Sequence, residues 1–147
     1  MISSYVKSFR ELSAQEFLRI CMARERVFVL EQKITVCEEL DEVDLHALHI
    51  AILDSENVIA YARCYADGGE AHIGRVLTTV RGKGYGREVM QLAMDACRQR
   101  LGCSHITVHA QVQVIPFYEK LGFKVCSGLF DECGIMHRSM ELDYFKK

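Results

Sequence analysis

The chain has 147 residues, of which 50% are apolar and 26% are charged, a composition typical of one soluble globular domain. Eighteen Lys and Arg against twenty Asp and Glu give a formal charge of −2, which argues against a dedicated nucleic-acid-binding protein. No run reaches the roughly 20 apolar residues of a membrane span, and the N-terminal residues MISSYVKSFRE lack the apolar core of a signal peptide. We therefore expect a single domain over residues 1–147, with no nucleic-acid or membrane partner.

The seven cysteines are spread through apolar segments, and no two of them form a C-x-x-C pair. A disulfide framework or a zinc site would show closer spacing. We therefore predict reduced, mostly buried thiols and no metal site. Reduced thiols in turn indicate a cytoplasmic protein.

Apolar periodicity predicts a strand, a helix and three further strands in the N-terminal half. The first strand spans Tyr5–Phe9. The helix starts at a capping box formed by Ser13 and Glu16, and it runs to about Leu30. The polar and acidic residues 31–44 are interpreted as a loop or a short second helix. The next strands are His46–Leu53, Val58–Tyr65 and about Ala71–Thr79.

The C-terminal half alternates helices with strands. A glycine-rich loop at residues 80–86 leads into an amphipathic helix, which ends at Gly102. Apolar and polar residues then alternate over 105–110 and predict a strand. The remaining predicted elements are a helix at Ile115–Leu121 and strands at Phe123–Cys126 and Met136–Tyr144. The order β-α-β-β-β-α-β-α-β-β describes an α/β or α+β fold with one mixed sheet.

The glycine-rich loop RGKGYG between a strand and a helix is suited to binding phosphate. Glycines at 82, 84 and 86 let the backbone approach an anion closely, and the free amides of the first helical turn favour negative charge. No Lys-Ser or Lys-Thr pair follows, which argues against a P-loop, and the G-x-G-x-x-G spacing of a dinucleotide fold is absent. The alternative is a surface loop with incidental glycines.

Two segments, in this order, resemble signatures of the GNAT N-acyltransferase superfamily. Arg81–Gly86 is similar to its acetyl-CoA motif R/Q-x-x-G-x-G/A, and Pro116–Phe123, PFYEKLGF, is similar to its "lYekLGF" segment. Further matches resemble the ElaA-like branch: Arg26–Gln32, Glu39–Asp44, His109–Gln111, Gly134–His137 and Met140. The resemblance covers nearly the whole chain and implies the GNAT acyl-CoA N-acyltransferase fold.

The resemblance implies acetyl-CoA as co-substrate, with its pantetheine arm between splayed fourth and fifth strands and its pyrophosphate on the glycine-rich loop. An amide near Leu77 would polarise the thioester carbonyl. Gln111 stands where many relatives carry Asn, and its amide can still bond cofactor or backbone. The implied cofactor-binding residues are Leu77, Thr78, Thr79, Arg81, Gly82, Lys83, Gly84, Gly86, Arg87 and Gln111.

The resemblance also implies direct attack of an amine on the thioester. Tyr118 matches the family tyrosine that protonates the departing thiolate, a role for which a neutral phenol is suited. Its alternative role is a core residue on a short helix. The strand glutamate that many relatives use as general base is replaced here by Gly74. Glu31, at the end of the first helix, is the first candidate for that base, and the other candidates are His49, His109 and His137.

The amine acceptor pocket is expected among the first helix, the loop after it and the last strands. Phe28, Asp41 and His137 are the candidate substrate-binding residues. The acidic residues 38–44 can attract a cationic amine, lie solvated in a loop, or pair with Arg24 and Arg26 on the first helix.

We therefore expect an N-acetyltransferase that acts on a primary amine of a small molecule or peptide. A non-catalytic acyl-CoA-binding or sensing domain is the alternative, favoured by the missing strand glutamate. A nucleic-acid acetylase is disfavoured by the slight excess of acidic over basic residues. Dimers are common in the family, so a homodimer is left open.

Overall fold

The N-terminal part of the chain forms four antiparallel strands and one long helical segment in the computed structural model, which describes residues 1–145. The strands are β1 (Ile2–Ser8), β2 (Leu48–Asp54), β3 (Asn57–Asp67) and β4 (Glu70–Thr78). Each pairs with its neighbour in sequence. A 3-10 turn at Glu42–Leu45 interrupts the acidic segment before β2.

The first helical segment starts where the sequence predicts. The Ser13 side chain accepts a hydrogen bond from the Glu16 amide, and the Glu16 carboxylate accepts one from the Ser13 amide. The helix α1 spans Ala14–Arg24 and continues as a π-helical segment over Glu25–Glu31. The predicted end near Leu30 is therefore confirmed, with a change of helical type that the periodicity did not indicate.

Between residues 80 and 145 the chain forms two helices and four strands. They are α2 (Tyr85–Gln99), β5 (His105–Gln111), α3 (Ile115–Lys120), β6 (Lys124–Val125), β7 (Phe130–Glu132) and β8 (Ile135–Asp143). The predicted order lacks β7, which is a correction. Its three residues are too short for a periodic signal, and they form a strand only by pairing with β8 across the turn at Cys133–Gly134.

One mixed sheet of eight strands, in the order β1-β2-β3-β4-β5-β8-β6 with β7 also on β8, confirms the predicted fold class. The pair β4–β5 is parallel, and the other pairs are antiparallel. Among residues 1–145, no helix has the length and the apolar content that crossing a membrane requires.

The helices cover the two faces of the sheet unequally. On the α2 face, α2 and α3 pack over β2 to β5 and β8, and Ile50, Ile73, Val108, Val89 and Tyr118 belong to this core. On the α1 face, α1 and the π-helical segment pack over β1 to β4 in a smaller core. Because side chains alternate along a strand, the odd-numbered residues of β5 point to the α1 face.

The prediction of fully reduced thiols is wrong. Cys37, in the loop after the π-helical segment, forms a disulfide with Cys133 in the β7–β8 turn. The two cysteines are 96 residues apart in sequence and 5.5 Å apart between Cα atoms. Sequence spacing therefore gave no signal of the pairing. The five remaining cysteines are free, and three of them are buried. The cytoplasmic location, which partly rested on reduced thiols, stays a prediction.

Candidate active site

Strands β4 and β5 diverge soon after they meet. They pair only at Ala71 with Ile106 and at His72 with Thr107. Beyond these two positions β4 continues to Thr78 and β5 continues to Gln111 without pairing to each other. The result is a V-shaped opening in the sheet, hereafter the gap, with its vertex at His72 and Thr107. Backbone hydrogen-bonding groups along the inner edges of the two strands are free to bind an extended ligand.

A bulge in β4 lies just beyond the vertex of the gap. Gly74 pairs with Arg63 and Leu77 pairs with Tyr61, so β4 carries one extra residue between these two pairs. Arg75 within the bulge has a positive φ of 53°. Bulges redirect a strand and its polar groups, often beside active sites. A side chain built at Gly74 would meet no atom within 4 Å, so space is open at the position where many relatives are expected to carry a base.

The backbone of Thr78 faces the gap. The Thr79 amide donates to the Ile59 carbonyl, which directs the polar groups of Thr79 towards β3. Hydrogen-bonding direction alternates along an antiparallel strand, so Leu77 is also directed to β3 and Thr78 to the opposite side. Of the three residues predicted to pair with a pantetheine arm, Thr78 is therefore the one with a free backbone.

The glycine-rich loop ends at an uncapped helix. Gly82 and Gly84 have positive φ values of 75° and 79°, which disfavour any residue with a side chain. Gly84 is the N-cap of α2 and offers no side-chain cap. The first intrahelical bond is from the Glu88 amide to the Gly84 carbonyl. The amides of residues 85–87 therefore remain available to an anion, and Lys83 and Arg87 add exposed positive charge.

Arg81 forms an ion pair with Glu31, at 3.1 Å between Nη2 and Oε1. Both side chains are about half exposed or more, at 67% and 46%. The pair joins the end of the π-helical segment to the glycine-rich loop. Glu31, predicted as the base, thus lies beside the predicted phosphate site.

Tyr118 on α3 is buried in the core of the α2 face, between the rings of Phe117 and Phe123. Burial raises the pKa of its phenol to about 12. Within residues 1–145 its hydroxyl has no hydrogen-bond partner, and the hydroxyl oxygen is not completely buried. The phenol is therefore a neutral donor whose proton is not engaged by the protein.

Known proteins resemble this chain over most of its length. A family model described as an acetyltransferase (GNAT) domain matches residues 11–144. The chain is also 35% identical, over 142 residues, to a UPF0039 protein of Schizosaccharomyces pombe, and the match covers 93% of this chain and 94% of the relative. The chain belongs to the GNAT family.

Solved structures show which branch of the GNAT family this chain belongs to. An acyl-CoA N-acyltransferase of Pseudomonas aeruginosa is similar with a TM-score of 0.89 and 26% identity, covering 96% of this chain and 99% of that one. Escherichia coli ElaA is similar with a TM-score of 0.87 and 26% identity, with the same coverage. The chain is an ElaA-like member of the family.

The acidic loop of this GNAT-family chain is held by buried arginines. Arg24 is fully buried, and it donates to Glu39 and Asp44 at 2.7 Å each. Arg63 donates to Asp41 at 2.7 Å and to Asp44 at 2.9 Å. The predicted pairing of Arg24 with the acidic run is confirmed, whereas Arg26 is exposed. The loop is thus an ion-pair network, and the predicted substrate contact of Asp41 would have to share a carboxylate that Arg63 already binds.

Two other residues predicted for the site, Phe28 and His49, are buried inside the protein. Phe28 is 8% exposed within the core of the α1 face. His49 is fully buried and lies 2.6 Å from the Tyr61 hydroxyl and 2.9 Å from the Asp44 carbonyl oxygen. Burial lowers the pKa of His49, which keeps it neutral. Because both ring nitrogens are bonded inside the protein, His49 is unsuited to the role of base.

Gln111 is the last residue of β5, at the end of the gap farthest from the vertex. Its Nε2 donates to Gln32, which follows the π-helical segment, at 3.0 Å, and its Oε1 accepts from Gln113 at 2.7 Å. In this arrangement the side-chain amide of Gln111 is hydrogen-bonded to two other glutamine side chains. The contact to the cofactor stays a prediction.

A cluster around Glu132 was not found from the sequence. Its carboxylate lies 2.7 Å from Nδ1 of His109 and 3.7 Å from Nε2 of His137. His137 is buried, its Nδ1 lies 2.7 Å from the Ile135 carbonyl oxygen, and its ring stacks on Phe130. Glu132 and Phe130 belong to the missed strand β7, so no sequence signal pointed to them. The cluster lies on the α1 face of β5 and β8, where the acceptor pocket is predicted.

Proposed function

We propose that this GNAT-family chain transfers an acetyl group from acetyl-CoA to a primary amine of a small molecule or peptide. The observation that carries the proposal is the gap between β4 and β5, which begins next to a bulge and lies beside the uncapped N-terminus of α2. This arrangement suits a ligand with an extended amide-containing arm and a phosphate group at its end.

The residues of this chain fit both ends of that ligand. Gly82 and Gly84 open the loop to close approach, the amides of residues 85–87 are free, and Lys83 and Arg87 are exposed cations. Arg81 would add a third cation by releasing Glu31 and binding phosphate, since guanidinium binds both carboxylate and phosphate. The free backbone edge at Thr78 is suited to pairing with the pantetheine amides.

Bound acetyl-CoA would supply an activated thioester. Backbone amides on the gap side of β4 are suited to stabilising negative charge on its carbonyl oxygen. As the amine nitrogen bonds to the carbonyl carbon and the carbon–sulfur bond breaks, Tyr118 would donate its proton to the sulfur. The raised pKa keeps that proton on the phenol before the reaction. Phe28, Asp41 and His137 remain proposed acceptor-pocket residues, and a homodimer remains a prediction.

The test is product formation by the purified protein with acetyl-CoA and a panel of primary amines, from polyamines and amino-acid amides to short peptides. We expect an acetylated product, detected by its mass increase, because this readout does not depend on the protein's own thiols. Saturable binding of acetyl-CoA without product from any amine would instead support the non-catalytic acyl-CoA-binding domain. The glycine at position 74 is the observation that favours that second candidate.

A further inference from the structure

A primary amine that attacks a thioester must lose a proton, and at neutral pH most such amines carry an extra one. The inference here rests on the proposed acetyl transfer and asks which side chain accepts that proton. Position 74, next to the bulge, offers no carboxylate. Another group beside the gap must accept the proton, and the α1 face is the side on which the acceptor pocket is predicted.

The sequence of β5 places one imidazole on that face, beside the gap. Pairing with β4 ends at Thr107, and the next residue of β5 that points to the α1 face is His109. Val108 and Ala110, on either side, are buried in the core of the opposite face. The His109 side chain is 45% exposed, so a substrate can reach its ring.

The other histidines of the chain are placed differently. His49 is buried and bonded at both ring nitrogens, and His137 is buried against Phe130. His72 stacks on Tyr65 at the paired end of β4, before the gap opens. His105, at the start of β5, contacts Asp143 and Glu141, and His46 ends the 3-10 turn of the acidic loop.

Glu132 fixes which ring nitrogen of His109 carries the hydrogen. A carboxylate only accepts hydrogen bonds, so the 2.7 Å contact requires a hydrogen on Nδ1 of His109. In the neutral ring, Nε2 then carries the free lone pair. No group within residues 1–145 bonds to that nitrogen. The Phe130 ring packs edge-on against the imidazole, with a centroid distance of 5.2 Å, and restricts its rotation.

The position of Glu132 is itself constrained. It lies in β7, which is held to β8 by strand pairing, and the next residue is Cys133 of the disulfide. The disulfide joins this turn to the loop after the π-helical segment. The β7–β8 hairpin and the disulfide-linked loop thus hold the Glu132 carboxylate against His109 from outside the gap.

We propose that His109 is the general base of the acetyl transfer and that Glu132 is its positioning residue. Nε2 of His109 takes the proton of the attacking amine as the carbon–nitrogen bond forms. The carboxylate of Glu132 stabilises the imidazolium that results, and the proton then passes to water. Glu31, by contrast, is paired with Arg81 at the glycine-rich loop.

The test compares His109→Gln with wild type, using the best amine of the panel, over a range of pH. General-base catalysis contributes about 10²- to 10⁴-fold, so we expect kcat/KM for the amine to fall by about that factor. With an amine that is already neutral over this pH range, the acidic limb of the wild-type pH profile is expected to disappear in His109→Gln, while the KM for acetyl-CoA stays unchanged. His46→Gln, at an exposed histidine outside the site, is the matched control.

Two further measurements separate catalysis from folding. A β-fluorinated analogue of the same amine, which is already largely neutral at the assay pH, is expected to reduce the defect of His109→Gln. Added imidazole is expected to restore part of the activity of His109→Ala. Glu132→Gln is expected to shift the acidic limb and lower kcat, whereas Glu56→Gln, on an exposed turn, is not.

The outcomes distinguish this inference from the proposed function. If wild type formed no product with any amine, the proposed function itself would be overturned. Product from wild type together with an unchanged pH profile in His109→Gln would overturn the role of His109 alone. Loss of the acidic limb in Glu31→Gln, with a normal limb in His109→Gln, would assign the base to Glu31.

Discussion

At the scale of single residues, Tyr118 combines two properties that a proton donor needs. A phenol of ordinary pKa, about 10, already keeps its proton at neutral pH, and burial raises the pKa of Tyr118 to about 12. Its hydroxyl, however, has no partner among the described residues and is free to meet an incoming sulfur. The ring packs between two phenylalanines, which keep it in place without using the hydroxyl.

Tyr118→Phe is expected to lower kcat by about 10²-fold, because only the acid is lost. The KM for acetyl-CoA and the urea midpoint are expected to stay near those of wild type, since the aromatic ring remains. Steady-state kinetics with mass detection of the product and urea unfolding measure these quantities. A variant with full activity would show that the thiolate leaves without protonation by this residue.

Asp44 shows the opposite balance, a buried charge that is kept ionised. Burial opposes its ionisation, but hydrogen bonds and charge from Arg24 and Arg63 outweigh that effect and lower its pKa. A carboxyl with a lowered pKa stabilises the folded state above its unfolded pKa, about 3.9, and this contribution is lost as the pH falls further. The network therefore stabilises the fold at neutral pH and weakens in acid.

Asp44→Asn is expected to reduce the free energy of unfolding by about 3–5 kcal/mol, because the buried guanidinium groups of Arg24 and Arg63 each lose one of their two carboxylate partners. Its stability is also expected to fall less steeply than that of wild type below about pH 4. Urea unfolding at several pH values measures both effects. Asp54→Asn, which removes an exposed pair with the N-terminus, is the control and should change stability by at most about 1 kcal/mol. Equal effects of the two changes would contradict the network's structural role.

At the scale of elements, the strand–loop–helix unit from β4 to α2 is the part of the site that backbone geometry defines. Positive φ values at Gly82 and Gly84 shape the loop, and the N-terminus of α2 is left without a side-chain cap. The bulge at Arg75 bends the preceding strand, and the Arg75 side chain donates to Glu39 of the acidic loop at 2.9 Å. The anion site and the gap are therefore built from consecutive segments.

Gly84→Ala is expected to weaken binding of coenzyme A about 5- to 30-fold. A side chain in the left-handed region costs about 1–2 kcal/mol, and the loop can avoid this cost only by leaving the conformation that exposes its amides. Isothermal titration with coenzyme A measures the affinity. Gly128→Ala is the control, because Gly128 has no positive φ and open space around it. Unchanged affinity in Gly84→Ala would place the phosphate elsewhere.

At the scale of the whole molecule, the disulfide connects segments that the chain keeps far apart. Cys37 belongs to the loop that follows the π-helical segment, and Cys133 belongs to the turn of the last hairpin. The bond thereby joins two regions predicted to border the acceptor pocket. It also closes a loop of 96 residues, which reduces the freedom of the unfolded chain.

Cys37→Ser is expected to lower the free energy of unfolding by about 2–4 kcal/mol, with Cys126→Ser, at a free and exposed thiol, as the control. Alkylation in urea without reductant is expected to label five thiols, and labelling after reduction is expected to reach seven. Intact mass and urea unfolding measure the two effects. Seven labelled thiols before reduction would mean that the bond is absent in solution.

Local patterns predicted the parts of the site that lie within short segments. The capping box at Ser13, the glycine-rich loop and the segment around Tyr118 could be located from the sequence, because each depends on neighbouring residues. The family and the fold class followed from two such segments in the correct order. The strand β7 could not be located, because three residues carry no periodicity and their conformation depends on β8.

The sequence by itself determined the order of elements up to α3, the glycines that shape the anion site and the residue types available for catalysis. Only the tertiary structure decided which side chains meet: Arg24 with Asp44, His109 with Glu132, and Cys37 with Cys133. These contacts join residues separated by 20, 23 and 96 positions. Helical and strand periods act over a few residues, whereas such partners are brought together by the packing of helices and strands on one sheet.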